Sequence, residues 1–257
     1  MSFLSLISIE FHKIRRSKIL LILLTAAVFL WLPAIFHGDV SFRTSADFGI
    51  LPENNFMIQG FLGMSWFMFP AAMVVCTVLL QQTERNNHGI LKMLALPVST
   101  VGLCLAKFVV LLCLAALQIA LTVGMYYISA AIVSHTQNYP FVLPLPFVLR
   151  EAGLIFLYSI PMLTFFWLVS VCIQTPIFSI GIELASIVPS VLIINTKLWF
   201  AYPMAYPLFA VSNEYGRLAS AMTPSDVNLT PLLIVALSSS VLCLFLSCLR
   251  FGKYERR

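Results

Sequence analysis

Gln81–Lys107, QQTERNNHGILKMLALPVSTVGLCLAK, is the one sizeable polar segment on the side of the chain that carries the positive charge, and it lies between two long apolar runs. It opens with eight polar residues, Gln81 to His88, and turns amphipathic through Ile90, Leu91, Met93 and Leu94. This pattern predicts a short interfacial helix placed to be touched by a partner. Pro97 ends that helix, because proline lacks an N–H and disfavours helix in the residue before it. Ser99 then caps the next helix, and Lys107 is expected to snorkel at the membrane entrance.

Outward from this segment the composition sets the class. The chain is 60% hydrophobic and only 10% charged, with several apolar runs close to the roughly 20 residues that span a bilayer. It reads as an all-α polytopic membrane protein of six transmembrane helices preceded by an interfacial helix. Residues 1–257 make a single transmembrane domain, since no connection reaches the roughly 50 residues of a small soluble domain. Any soluble engine must belong to another chain.

The net charge of +5 has a topological origin. Eleven of the fifteen lysines and arginines lie in the N-terminal segment (Lys13, Arg15, Arg16, Lys18), the central segment (Arg85, Lys92, Lys107) and the C-terminal tail (Arg250, Lys253, Arg256, Arg257). The positive-inside rule places both termini and the central segment in the cytoplasm. Nucleic acid is excluded as a partner, because the charge forms no continuous patch.

Residues 1–18 form the interfacial helix, with Phe3, Ile7, Phe11 and Ile14 on one stripe. Span one is Ile19–Phe36, followed by an external loop from His37 to Gln59. Span two, Gly60–Leu80, contains Gly63 and Pro70. Its Phe61, Met64, Trp66, Phe67, Met68 and Phe69 are packing or lipid-facing side chains, or an adaptable surface for a bulky substrate. The coupling segment occupies 81–100.

Span three runs from about Val101 to Ser134, long enough to require tilt or an interfacial extension. A proline-rich loop, His135–Leu149, leads to span four at Arg150–Ile173. The very short turn Gln174–Pro176 makes spans four and five an antiparallel hairpin. Span five, Ile177–Ile194, holds Glu183 and Pro189. The outer stretch 195–230 is crowded with aromatics that favour the headgroup level, as short helices broken at Pro203 and Pro207. Span six is Pro231–Leu249.

Catalytic chemistry finds no support. The one Gly-Lys pair, Gly252-Lys253, has Ser247 and Tyr254 where a phosphate-binding loop needs glycine and a hydroxyl. His12, His37, His88 and His135 lack ligand spacing, so no metal site is expected. The six cysteines form no disulfide framework and no CxxC pair. Arg150-Glu151 is a solvated or mutually paired charge, and a weaker candidate for an outer gate.

Glu183 is the one acidic residue well inside an apolar run, expensive to place and therefore a candidate functional group. Two readings stay open: glue between helices, bonded to Gln118 or Ser186, or a part in substrate passage. Gln118, Tyr202 and Tyr206 join it as translocation or gating candidates.

The order of parts resembles the ABC-2 type membrane subunits of ABC exporters. The residues that carry this are Glu84, Arg85, Gly89, Lys92, Leu94, Pro97, Ser99 and Lys107, an acidic residue, a glycine, a lysine, a Pro-x-Ser step and a lysine at the entry of span three. The family's usual basic residue after that step is Thr100 here. WFAYPMAYP, Trp199–Pro207, is similar to the aromatic Tyr-Pro steps of lantibiotic self-immunity permeases, the E and G subunits.

The resemblance implies a non-catalytic subunit in the membrane of a bacterial cell, partnered by an ABC ATP-binding subunit dimer and a second six-helix permease, identical or homologous. Coupling to the ATPase would run through Gln82, Glu84, Arg85, Gly89, Lys92 and Leu94. The chain would carry no cofactor, ATP and magnesium being bound by the ATPase. The substrate implied is an amphipathic peptide. The alternatives are an ion-coupled carrier, which would show more intramembrane ionisable groups or repeated halves, and an ABC-2 permease for another lipophilic substrate.

Overall fold

The computed structural model describes residues 3–15, 17–85, 99–219 and 229–251, and is helical with no strand among them. Six helices among these residues are long and apolar enough to cross a membrane: Ile19–Phe36, Pro52–Gln82, Thr100–Gln137, Leu145–Cys172, Pro176–Ile193 and Leu229–Arg250. An N-terminal helix, Phe3–Arg15, precedes them. Of the most apolar 18 residues of spans two, three and four, 56, 50 and 56% are buried, against 22, 22 and 11% for spans one, five and six. Spans two, three and four therefore form the core of the bundle, and the other three present apolar side chains outward, as a lipid-solvated chain can.

The N-terminal helix sets one side against the bundle and leaves part of its apolar stripe outward. Leu6, Glu10 and Ile14 are buried, whereas Phe3 and Phe11 are exposed. Span one occupies the expected residues, and at 18 residues it is ~27 Å long, close to the hydrocarbon thickness.

The expected external loop His37–Gln59 is instead largely helical. Val40–Phe48 is a helix closed by Gly49 in the left-handed region (φ 63°), whose N–H bonds the Ser45 carbonyl, a conformation that favours glycine. Span two then starts at Pro52, a residue suited to the first helical turn. Asn55 reads as a loop residue but is fully buried and donates to the Ser41 carbonyl at 3.3 Å.

Met64–Met68 is a π-helical segment inside span two. Pro70 has no N–H and its ring crowds the carbonyl four residues back. The wider turn accommodates it, with the Phe69 N–H reaching the Met64 carbonyl. The helix continues to Arg85, so the first five residues of the central polar segment extend span two.

Ser99 caps span three as expected, its hydroxyl accepting the Gly102 N–H at 3.2 Å. This helix has 38 residues, ~57 Å, well beyond the bilayer core. Trp31, Phe56, Phe61, Tyr126 and Phe141 form an aromatic core where spans one, two and three meet. Trp31 donates to the Thr122 carbonyl at 3.1 Å. Gly60 lets its ring lie against span two, since a Cβ there would sit 2.2 Å from it. Tyr126 donates to the Phe141 carbonyl and accepts the Leu143 N–H, both at 3.1 Å, fixing the descent into span four.

Span four begins at Leu145, earlier than expected, and ends before the turn at 173–175. Span five is helical over Pro176–Ile187 and again over Ser190–Ile193, interrupted before Pro189. Trp199–Ala201 and Pro203–Ala205 are single 3₁₀ turns, and Tyr206–Leu218 is a helix with Pro207 in its first turn rather than at a break. Its aromatics pack inward: Trp199 stacks on Phe209 at 3.8 Å, and Phe209 meets Tyr158 of span four.

Candidate functional site

Glu183 is fully buried, and both of its carboxyl oxygens are bonded. Ser179 lies one turn earlier on the same helix face, as i, i+4 spacing dictates, and donates to Oε1 at 2.8 Å. Ser170 of span four donates to the same oxygen at 2.8 Å, and the Thr77 hydroxyl of span two lies 3.0 Å from Oε2, its one proton shared between that oxygen and the Val74 carbonyl at 2.8 Å. Ser170 and Ser179 face each other at 3.3 Å across the four–five hairpin. The carboxyl group thus joins spans two, four and five.

Leaving a carboxylate unpaired in the membrane costs a few kcal/mol, and hydrogen bonds to a charged group contribute about 1.5–3 kcal/mol each. The two serine hydroxyls, with the shared Thr77 hydroxyl beside them, can therefore offset the cost of placing the acid. The acid sits well inside span five, close to the midpoint of Pro176–Ile193. Glu183 lies seven residues after Pro176, ~10 Å from the short turn along a helix rising 1.5 Å per residue.

The expected partners are elsewhere. Ser186 donates to the Glu183 backbone carbonyl at 2.7 Å and not to its carboxyl group. Gln118 is buried on span three with its side-chain oxygen unbonded, while its backbone carbonyl accepts from Thr122. Tyr202 donates to the Ser186 carbonyl, linking the outer stretch to span five one turn beyond Glu183. Tyr206, fully buried, donates to the Phe200 carbonyl and so braces the outer stretch itself. The structure therefore brings Tyr202 near the Glu183 site, gives Tyr206 another partner, and leaves the Gln118 side-chain oxygen without one among the described residues.

A second polar centre lies where the N-terminal helix meets the bundle. Lys107, expected to snorkel outward, is fully buried: its Nζ donates to Glu10 Oε2 at 3.0 Å and to the Leu80 carbonyl at 3.4 Å. Lys13 holds the other Glu10 oxygen at 2.6 Å. Lys107 sits two turns inside span three, where a stem reaching for water would have to pass the N-terminal helix that covers it. Burial raises the Glu10 pKa, and the attraction of Lys107 and Lys13 outweighs it, holding the carboxyl below its ordinary value. One ammonium thereby ties together the N-terminal helix, the end of span two and the start of span three, the elements that flank the central segment.

A family model described as ABC-2 family transporter protein matches residues 6–213. The chain belongs to the ABC-2 transporter family. No curated protein and no solved structure matches it. The matched region holds Glu10, Lys107, Glu183, Tyr202 and Tyr206.

Of the residues proposed to couple this ABC-2 chain to an ATPase, Gln82 is half-buried near the end of the span-two helix, and Glu84 and Arg85 complete that helix. Gly89, Lys92 and Leu94, with the amphipathic helix expected up to Pro97, lie outside the described residues. At the opposite end of the transporter, Arg150 bonds Glu151 and also reaches Glu214 at 3.1 Å, while Arg217 bonds Glu214 at 3.3 Å. Sequence reasoning saw only the Arg150-Glu151 neighbours. The cluster joins the start of span four to the helix Tyr206–Leu218.

Thr77, Ser170 and Ser179 were also missed, although two signals were present. Ser179 precedes Glu183 by four residues, and Ser170 and Ser179 stand nearly equidistant from the turn at Gln174-Thr175, which sets them opposite each other in a hairpin. Glu10, the lone acid among the basic residues of the N-terminal segment, was a third.

Proposed function

We propose that this chain is the membrane-spanning permease subunit of an ATP-driven exporter, one half of a translocation unit completed by a second six-helix subunit. The whole chain acts as one transmembrane domain in a bacterial cell membrane, with both termini and the central segment in the cytoplasm. The observation that carries the reading is the Lys107 junction. The helices on either side of the segment 81–100 are bonded to each other and to the N-terminal helix through a single buried ammonium.

The work is mechanical. An ATPase dimer, binding ATP and magnesium, closes and displaces the segment from Gln82 to Leu96, engaging Gln82, Glu84, Arg85, Gly89, Lys92 and Leu94. The junction passes the displacement to spans two and three together. Differential binding of the ATPase to two states of the membrane domain supplies the coupling. Span two then shifts against the four–five hairpin, and the joint it must loosen is the bond from Thr77 to Glu183. Tyr202 connects that joint to the outer stretch.

The substrate is an amphipathic cationic peptide of the lantibiotic kind, a reading supported by the WFAYPMAYP stretch at Trp199–Pro207. In everted vesicles containing this chain and the ATPase from its operon, a fluorescent lantibiotic is expected to accumulate only with ATP. Accumulation that needs an ion gradient and no ATP would replace the exporter with a carrier. ATP-driven accumulation of lipophilic cations but not the peptide would change the substrate class.

A further inference from the structure

Between span one, span two and the helix Val40–Phe48 lies a cavity of about 340 Å³, within the roughly 300–1,000 Å³ of small-molecule sites. Its span-one wall is Leu30, Pro33, Ala34 and His37, and its span-two wall is Phe56, Gln59, Gly60 and Gly63. Each set follows i, i+3, i+4, i+7 spacing, one continuous face of a helix. The cavity is therefore a slot parallel to the spans, ~10 Å long by the helical rise from Leu30 to His37.

The slot opens sideways. Pro33, Phe36 and Val40 are exposed on one flank, and Gln59, Trp66 and Phe67 on the other. Gly63 leaves a notch in the second stripe, between Gln59 and Trp66. In a membrane protein these exposed apolar stripes face lipid, so the slot is continuous with the hydrocarbon.

Its polarity is graded along its length. Leu30, Ala34, Gly60 and Gly63 make the deep end apolar. His37, Ser41, Thr44 and Gln59 gather at the other end, beside the exposed ion pair of Arg43 with Asp39 at 3.2 Å. An apolar slot aligned with the spans, capped by hydrogen-bonding groups and by one charge of each sign, matches a zwitterionic amphiphile with a hydrocarbon chain.

We propose that this slot holds the headgroup-proximal half of one acyl chain of a phospholipid from the leaflet at this end of the bundle, with its headgroup at His37, Thr44 and Arg43. The lipid fills the gap between spans one and two above the Trp31–Gly60 contact and serves as a wedge between them. This site is separate from the Glu183 joint and does not depend on the exporter reading.

The test uses the full chain reconstituted in vesicles of phosphatidylcholine carrying a diazirine midway along one acyl chain, extracted into detergent, washed and then irradiated. Retained lipid should label Leu30, Ala34 and Gly60–Gly63, and labelling of the lipid-facing Leu237 and Leu242 of span six should be lost in the wash. Ala34→Phe fills the slot from span one, and Val40→Trp fills its mouth from an exposed position that does not burden the core. Each should lower slot labelling roughly tenfold, the factor that corresponds to about 1.4 kcal/mol, with unwashed span-six labelling unchanged. Equal labelling of slot and span six after washing, or slot labelling indifferent to both substitutions, overturns the proposal. So does a slot unlabelled by the lipid but labelled by a diazirine-bearing amphipathic peptide, which would make it a substrate site.

Discussion

Replacing Glu10 by Gln should destabilise the protein far more than a change on an amphipathic surface helix normally would. Lys107 is 0% exposed and Glu10 is 2% exposed. Removing one member of such a buried pair typically costs 3–5 kcal/mol, because the other charge stays behind, whereas replacing both with apolar groups is often neutral. Lys107 keeps its bond to the Leu80 carbonyl, so Glu10→Gln should fall near the lower bound, about 3 kcal/mol. Lys107→Met strands Glu10 with Lys13, itself 34% exposed, and should cost a similar amount. The double variant Glu10→Leu, Lys107→Met should return to within about 1 kcal/mol of the parent.

The assay is equilibrium unfolding in mixed micelles, repeated across pH. The Glu10 pKa lies below its ordinary value of 4.5 in the folded protein. Its contribution is therefore complete above pH 4.5 and is lost as pH falls through the lowered folded pKa. The parent should lose this increment on acidification, and Glu10→Gln should not. Additive single substitutions, or parent and Glu10→Gln losing equal stability in acid, would refute the junction as described.

Two further outcomes follow from the site and the topology. Thr77→Val removes the span-two bond to Glu183 and should cost only about 1 kcal/mol, yet lower peptide efflux at unchanged ATPase association. Glu183→Leu removes the shared acceptor of Ser170 and Ser179 and the link to Thr77, whose hydroxyl keeps the Val74 carbonyl; it should cost about 2–4 kcal/mol, and efflux intact in both variants would reduce the glutamate to packing. In a cysteine-free background, impermeant reagents added to intact cells should modify Ser45→Cys and Ser225→Cys but not Asn87→Cys or Arg256→Cys. The reverse pattern would invert the proposed orientation.

What could be read from the sequence is what local pattern encodes. Span one lies between Lys18 and His37, where polarity changes abruptly, and Ser99 caps span three at the step after Pro97. The turn at Gln174-Thr175 is likewise set by short-range composition. The failures have a common physical cause, polar residues whose partners lie far along the chain. Glu53, Asn54, Asn55 and Gln59 resemble a loop until Asn55 is seen to be buried against Ser41. Lys107 at a membrane entrance calls for water, and its actual partner lies 97 residues earlier. The presence of Glu183 as an important group was visible, but two of its three donors sit on other spans.

The central claim is that the segment between spans two and three is where the ATPase drives this chain, and deletion of Asn86–Met93 tests it most directly. The measurement is the amount of ATPase that co-purifies with the permease from cells expressing both, alongside ATP-driven peptide efflux. The account predicts that the shortened chain still inserts in the membrane but loses both the ATPase and efflux. Undiminished ATPase recovery and efflux from that chain would contradict it.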